Sequence, residues 1–414
     1  MESKVTIRFA ERMQQLPPYL FGMINKMKME KRWQGHDVID LGMGNPVDPS
    51  PTAVTKKLCE VAMDPKVHRY PVAGGMKNLK REIALYYKRN YDVSLTGGDD
   101  VICTIGSKEG ISHLCLALLG PGDTVLVPAP AFPIHVYAAV IAGANVLRIP
   151  LADPEAMLRE IDTMCRSLYP RPKLLMLNYP HNPTGATTSK EFFIEVVKLA
   201  KLRDFMVIND FAYGKITYDG LVAPSFLEAP GAQEVGVEFG SFSKSYNMAG
   251  WRLGYCVGNK EMINGLGKIK GYYDYGIFSA IQIAGIVAMR DCEDGIAEQV
   301  AVYQKRRDVM CDGLKKMGMG WEVEPCKAGM FLWVKIPEPY IRMGSVPFSV
   351  EMMNRANVAV SPGAGFGEEG EGYLRLALVE NENRISQAIK QMKRAMREIE
   401  QEVAAGTFSL EKKK

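Results

Sequence analysis

Between residues 123 and 258, short apolar runs alternate with stretches of helical character, and that alternation limits the possible fold more than any other feature. The runs DTVLVP (123–128), NVLRIP (145–150), KLLMLNYP (173–180), DFMVIND (204–210), VGVEFGSFS (235–243) and RLGYCVG (252–258) read as strands. KEGISHLCLALLG (108–120), SKEFFIEVVKLAKLR (189–203) and KEMINGLGKIKGYY (260–273) read as helices. Strands that alternate with helices are joined by crossovers, and crossovers make neighbouring strands parallel. The runs are apolar on both faces, as a sheet covered by helices on each side requires. The expected class is α/β: a large domain with a mostly parallel central sheet flanked by helices.

Beyond residue 285 the character changes. A long helical stretch near 285–317 leads to EPCKAGMFLWVKIP (324–337), which reads as a strand with a glycine kink. A helix near 347–356, VAVSPGAGFG (358–367), YLRLALV (373–379) and a closing helix follow. In the closing helix Ile385, Ile389, Met392, Met396, Ile399 and Val403 recur at spacings of 4, 3, 4, 3 and 4, which draws one apolar stripe. This half reads as a smaller α+β domain. Chain termini of such proteins often lie close together, so the N-terminal segment is expected to join it. The expected division is 45–285 for the large domain, and 1–44 with 286–414 for the small one.

Charge and cysteine usage narrow the function. The chain carries 51 basic and 47 acidic residues among 414, a net charge of +4, mixed along its length. A nucleic-acid binder would concentrate basic charge on one face, so none is expected. The run EKKK at 411–414 reads as a solvated end. The eight cysteines form no CxxC and no zinc-type spacing with histidine. Several sit inside apolar runs and read as small core residues. No metal and no disulfide framework are expected, and a reducing compartment is. MESKVTIRFAERMQQ at the N-terminus has no apolar leader stretch, and no run nears the roughly 18 apolar residues of a membrane span. The expected location is cytoplasmic.

Five short stretches carry chemistry. In SFSKSYNMAGWRLG (241–254), Lys244 follows an apolar run and has Ser241, Ser243 and Arg252 close in sequence. A lysine becomes nucleophilic only when desolvation or a nearby cation lowers its pKa. Serines and a forked guanidinium suit a phosphate, and Gly250 and Gly254 give the backbone room. A lone lysine in a strand–helix loop would instead be a surface residue. In VINDFAYGKI (207–216), Asp210 ends a run, where α/β sheets hold ligands; it also suits a helix cap or turn. Tyr213 stands three residues on. In LNYPHNPTG (177–185), Asn182 is placed over a strand end, or merely makes an Asn-Pro turn. In TIGSKEGISH (104–113), Ser107 and Lys108 open a helix whose amides suit an anion. In YLRLAL (373–378), Arg375 stands in an apolar strand and is expected to have an anionic partner, internal or substrate.

With the pairs YP (70–71) and PAFP (130–133), these stretches together resemble the class-I aminotransferases, the fold-type I pyridoxal-phosphate enzymes. The motifs YP, GSKEG, PAFP, NPTG, DFAY, SKS…GWRLG and LRLAL stand in the family's order. The resemblance runs from LPPYLF (16–21) to the final helix. It implies pyridoxal 5'-phosphate as cofactor. Lys244 is then the covalent anchor and proton carrier. Asp210 would hold the pyridine nitrogen protonated, Tyr213 and Asn182 would bond the phenolic oxygen, and Phe132 would stack on the ring. Ser107, Lys108 (through its amide), Ser241, Ser243 and Arg252 would surround the phosphate. Tyr70 would reach the neighbouring subunit's phosphate, which implies a homodimer with shared active sites. Arg375 would clamp the substrate α-carboxylate, with the Gly44 amide and Asn182 beside it. Many relatives carry tyrosine or tryptophan where Phe132 stands, so only stacking carries over. Tyr275 in GYYDYGIFSA (271–280) lies in a loop that relatives use near the partner's site.

Within the family, LPPYLF, IDLGMGNP, TIGSKEG, PIHVYAAVIAGA, SKSYNMAGWR and KGYYDYGIFS most resemble alanine aminotransferases of the bacterial glutamate–pyruvate type. LL-diaminopimelate, aspartate and methionine aminotransferases are the neighbouring expectations. The implied substrates are an L-amino acid and a 2-oxo acid in a ping-pong exchange. A pocket separates small apolar side chains by only about 1–3 kcal/mol per methylene, so breadth is expected. A pyridoxal-phosphate carbon–sulfur lyase and a non-catalytic protein with the same fold are the rivals from other classes.

Overall fold

The computed structural model describes residues 7–411; most of the EKKK tail, 412–414, lies outside them. The first strand, Ile39–Asp40 (β1), belongs to the C-terminal half of the molecule, where it pairs in parallel with a strand described below. Seven strands then build the central sheet: Val101–Thr104 (β2), Thr124–Ala129 (β3), Asn145–Pro150 (β4), Leu174–Asn178 (β5), Met206–Asp210 (β6), Gly236–Ser241 (β7) and Gly254–Gly258 (β8). Their order is β2-β8-β7-β6-β5-β3-β4. The pairs β3/β4, β3/β5, β5/β6 and β6/β7 are parallel, and β8 runs antiparallel to both neighbours. The fold is α/β of fold-type I, with a mostly parallel sheet. The sequence runs at 123–258 account for six of the seven strands. The seventh, β2, lies upstream of the alternating region.

Two apolar clusters cover the sheet. One contains Leu126, Leu175, Leu177 and Val207, the other Val125, Leu174, Met176 and Ile208. Successive residues of β5 thus point to opposite clusters, as the pleat dictates. Every residue of β5 is buried, which is why its sequence shows no polar alternation.

A third cluster forms around Phe331–Lys335 (β9), Val358–Ala359 (β10), Ser361–Pro362 (β11) and Tyr373–Ala377 (β12). β1 pairs with β10, and β11, β12 and β9 make an antiparallel sheet. The closing helix Glu382–Ala404 sends its stripe into this cluster, packing chiefly on the helices Asp294–Met317 and Ser345–Ala356: Ile385, Met392, Met396 and Ile399 are wholly buried. Burying a side chain of that size stabilises by about 1.5–3 kcal/mol. Gly329 supplies the expected kink before β9, at φ +80°.

The single long helix expected near 285–317 is two helices, Ser279–Asp291 and Asp294–Met317. The break serves two different packings. The first helix packs on Thr52–Ala62 and Lys77–Tyr91, and the second on Glu382–Ala404. One straight rod would leave one of those faces uncovered. Among the described residues no helix is long and apolar enough to cross a membrane, and all eight cysteines are free thiols.

Candidate active site

The site sits where the strand order reverses. The chain steps from β3 outward to β4, then returns to the other side of β3 as β5, leaving a crevice at the carboxyl edge. A cavity of about 550 Å³ opens there. It is lined by Lys244, Asp210, Tyr213, Asn182, Phe132, Ser107, Lys108, Ser241, Ser243, Arg252, Arg375 and Gly44. Of the residues singled out in the sequence, Tyr70, Tyr275 and Gly254 do not line it. Tyr70 is 90% exposed, with its ring 5.7 Å from that of Tyr275.

Register places the first acid. Asn178 and Asp210 are paired residues at the ends of β5 and β6. Asn178 Nδ2 donates to the Asp210 carbonyl at 2.7 Å and to Pro180 O at 3.1 Å, and its Oδ1 accepts from the Asn182 amide at 2.9 Å. One buried amide therefore ties the two strand ends together and aims the turn that presents Asn182. The Asp210 carboxylate accepts from Ala212 N at 3.2 Å, and His135 Nε2 stands 3.0 Å from its other oxygen. His135 is 2% exposed and lies on the helix Pro133–Ile141.

Lys244 lies in a four-residue helix, Phe242–Ser245, directly after β7. Ser241 caps it, its Oγ accepting from Ser243 N at 3.2 Å. Burial pushes the lysine pKa down to about 8, with the Arg375 and Arg252 charges adding to the shift and Asp210 opposing it. The ammonium donates to Gly44 O at 2.6 Å and stands 6.0 Å from the Tyr213 ring centre. Burial pushes the Tyr213 phenol up.

The opposite end is built to take an anion. Helix Ser107–Leu118 begins here, so its first free amides face the cavity. Gly106 precedes it at φ +73°, and a Cβ there would overlap the Arg252 guanidinium. Arg252 itself is left-handed, at φ +55°, and donates to Ala249 O at 3.0 Å. A Cβ on Gly254 would come within 2.8 Å of Ser107 N, so this glycine permits a backbone approach. At Gly250 an added Cβ meets nothing; the room expected of it is supplied by Gly106 and Gly254. Burial lowers the Lys108 pKa, with Arg252 adding to the effect, and its Nζ sits 5.8 and 6.0 Å from the Tyr19 and Phe132 rings.

Arg375, on β12, is 3% exposed. Among the described residues no carboxylate forms an ion pair with it, which leaves the substrate as its expected anionic partner. The guanidinium donates to neutral oxygens: Asn182 Oδ1 at 3.0 Å, Gly42 O at 2.9 Å and Ser361 Oγ at 3.4 Å. It lies 4.0, 4.8 and 5.4 Å from the ring centres of Phe331, Phe366 and Phe21, close enough for cation–π attraction. Its Nε is buried without a partner. Burial pulls its pKa down to about 10, with Tyr213, Tyr19 and Asp40 opposing that shift. An incoming carboxylate would complete such a group.

The sequence alone does not mark His135, Asn178, Gly42 O or the phenylalanine box as site residues; the histidine in PIHVYAAV is the one signal it offers.

This donor set fits a phosphorylated aldehyde: an amide-rich cradle with three serines and an arginine, a carboxylate for a ring cation, and a desolvated amine. A family model for aminotransferase class I and II matches residues 36–391. The chain is 48% identical over 389 residues to the glutamate-pyruvate aminotransferase AlaC of Escherichia coli K12, covering 93% of each. It is 42% identical to the LL-diaminopimelate aminotransferase of Moorella thermoacetica, covering 94% of this chain and 99% of that one. Substrate-bound BacF of Bacillus subtilis shares the fold with a TM-score of 0.88 at 30% identity, over 94% of this chain and 98% of that one. The chain therefore belongs to the class I and II aminotransferases and works, as they do, with pyridoxal 5'-phosphate.

Proposed function

We propose that this aminotransferase moves the amino group between L-alanine and 2-oxoglutarate. The observation that carries the mechanism is the meeting of Lys244, Asp210 and Arg375 in one cavity. The substrate pair is supported by the 48% identity to a glutamate-pyruvate aminotransferase. LL-diaminopimelate is a second reading, favoured by the relative at 42% identity that matches over nearly its full length.

When bound, pyridoxal 5'-phosphate supplies an aldehyde that an amine can capture and a ring that draws negative charge away from the substrate α-carbon. Everything else falls to the chain. Ser107, Ser241, Ser243, Arg252 and the Lys108 amide would hold the phosphate. Asp210, its carboxylate held in place by His135, would keep a proton on the ring nitrogen. Tyr213 and Asn182 would bond the phenolic oxygen, and Phe132 would stack on the ring. Arg375 takes the α-carboxylate, assisted by Asn182 and the Gly44 amide. Lys244 Nζ removes the proton from the substrate α-carbon and returns it during the exchange. Its lowered pKa leaves a usable share of neutral amine near neutral pH.

The same reading makes the protein a cytoplasmic homodimer, with Tyr70 reaching a neighbouring copy's phosphate and Tyr275 near the partner's site. The division 45–285 against 1–44 with 286–414 belongs to it as well. The test is a half-reaction screen. Amino acids are added singly to the loaded enzyme, and loss of its visible absorbance is followed. L-Alanine and L-glutamate should discharge it, and pyruvate and 2-oxoglutarate should restore it. A response to LL-diaminopimelate but not to alanine would replace the proposed substrate. Ammonia and pyruvate released from cystathionine without an oxo acid would mark a carbon–sulfur lyase.

A further inference from the structure

A part-buried ion pair stands behind the site. Lys28, on the helix Leu20–Trp33, is 7% exposed. Its Nζ donates to Asp40 Oδ2 at 2.6 Å. Both side chains border the cavity. Withdrawing such a pair from water seldom stabilises a protein relative to apolar residues, so its presence beside a cavity invites another explanation.

The second Asp40 oxygen supplies one. Oδ1 accepts from Gly42 N at 3.0 Å and from Met43 N at 3.1 Å, an Asx-type turn. That turn aims two carbonyls into the site. Gly42 O accepts from Arg375 Nη2 at 2.9 Å and from Ser361 Oγ at 2.7 Å. Gly44 O accepts from Lys244 Nζ at 2.6 Å. The chain is anchored on the other side as well, since Leu41 N bonds Ala359 O and Leu41 O accepts from Ala377 N. The line of contacts is continuous: Lys28, Asp40, the 42–44 turn, Arg375. Lys28 fixes the carboxylate, the carboxylate fixes the turn, and a carbonyl of the turn fixes the guanidinium.

We propose that Lys28 and Asp40 are positioning residues that lock the 42–44 turn and thereby orient Arg375 for the substrate carboxylate. This rests on the reading of Arg375 as the carboxylate clamp. Neither residue touches the reacting atoms. Without Lys28, the Asp40 carboxylate is free to rotate, the turn loosens, and the guanidinium loses a fixed acceptor. An asparagine at position 40 can still accept from both amides through its Oδ1 without needing a cation beside it.

The test uses the loaded enzyme and propionate, a carboxylate that cannot react. Propionate affinity is measured by calorimetry in four forms: the parent, Lys28→Met, Lys28→Met/Asp40→Asn, and Arg375→Lys. Lys28→Met should weaken propionate about 10-fold and speed hydrogen exchange at the Gly42 and Met43 amides. The double variant, which restores the turn without the charges, should recover both to within about 3-fold of the parent. Unchanged propionate affinity in Lys28→Met, even with a lower Tm, would make the pair merely structural and overturn the proposal. A double variant that folds but recovers nothing would show that charge, not the turn, matters, and would overturn it too. If Lys28→Met fails to fold, the double variant decides alone: parental affinity supports the turn, and weakened affinity overturns it. Unchanged affinity in Arg375→Lys would instead remove the clamp reading itself, whatever the pair does.

Discussion

The two walls of the active-site cavity are built on different plans. The wall facing the cofactor comes from the ends of neighbouring strands. Asn178, Asp210 and Ser241 end β5, β6 and β7, and Ser107 opens the helix that follows β2. Each position is fixed by a ladder whose register spans only a few residues. The wall facing the substrate carboxylate is gathered from distant segments. Arg375 bonds Asn182 across 193 positions and Gly42 across 333. Its aromatic box draws on Phe21, Phe331 and Phe366. The first wall is rigid by construction. The second depends on how the C-terminal sheet and the N-terminal segment meet, so it should tolerate change less predictably.

The largest expected effect breaks the first wall. Lys244→Ala should lower turnover by at least about 10⁴-fold, the scale of removing both a covalent anchor and a proton carrier. Full activity in this variant, measured as pyruvate formed from alanine, would remove the lysine from the mechanism. Arg375→Lys breaks the second wall. Losing a forked, charge-assisted contact worth about 1.5–3 kcal/mol should cut kcat/KM for amino acids by roughly 10- to 150-fold. The visible absorbance of the bound cofactor should stay as in the parent, which separates the two walls in one experiment.

A smaller effect sharpens the comparison. His135→Ala should reduce kcat by about 10-fold, because the Asp210 carboxylate loses one buried partner whose removal costs about 1–3 kcal/mol. KM should hardly move, since His135 stands behind the cofactor wall alone. A rise in KM with constant kcat would contradict that placement. The smallest effect couples the walls through charge. In the cofactor-free protein, Lys244 should react with an amine-directed reagent with a midpoint near pH 8, slow below it and fast above it. Arg375→Gln removes a nearby cation that disfavours the ammonium, so the midpoint should move upward. A downward shift, read by peptide mass across a pH series, would reject the coupling.

The cofactor wall was largely legible in the sequence because strand ends are local events. An apolar run that stops at Asp210 announces its edge without any tertiary information. His135 was not legible: only the approach of the helix Pro133–Ile141 to β6 makes it a partner of Asp210. The same holds for Gly42, whose carbonyl matters only because β1 pairs with β10. The break at residues 292–293 was hidden because both helices are individually favourable. Only their separate packing partners require them to part. Gly250 and Gly254 looked alike in sequence, yet only Gly254 meets another backbone.

The reversed strand β8 has one more consequence. Because it runs against β7, its first residue, Gly254, pairs with the last residue of β7, Ser241. Lys244 and Arg252 therefore share a single closed loop whose two ends are stapled by the ladder. The reactive amine and the guanidinium at the anion cradle are held at a separation set by loop length, as two marks are held on a ruler. Substitution can retune either mark, but adding or deleting a residue between them would shift one against the other. The loop is thus free to vary in composition and closed to variation in length.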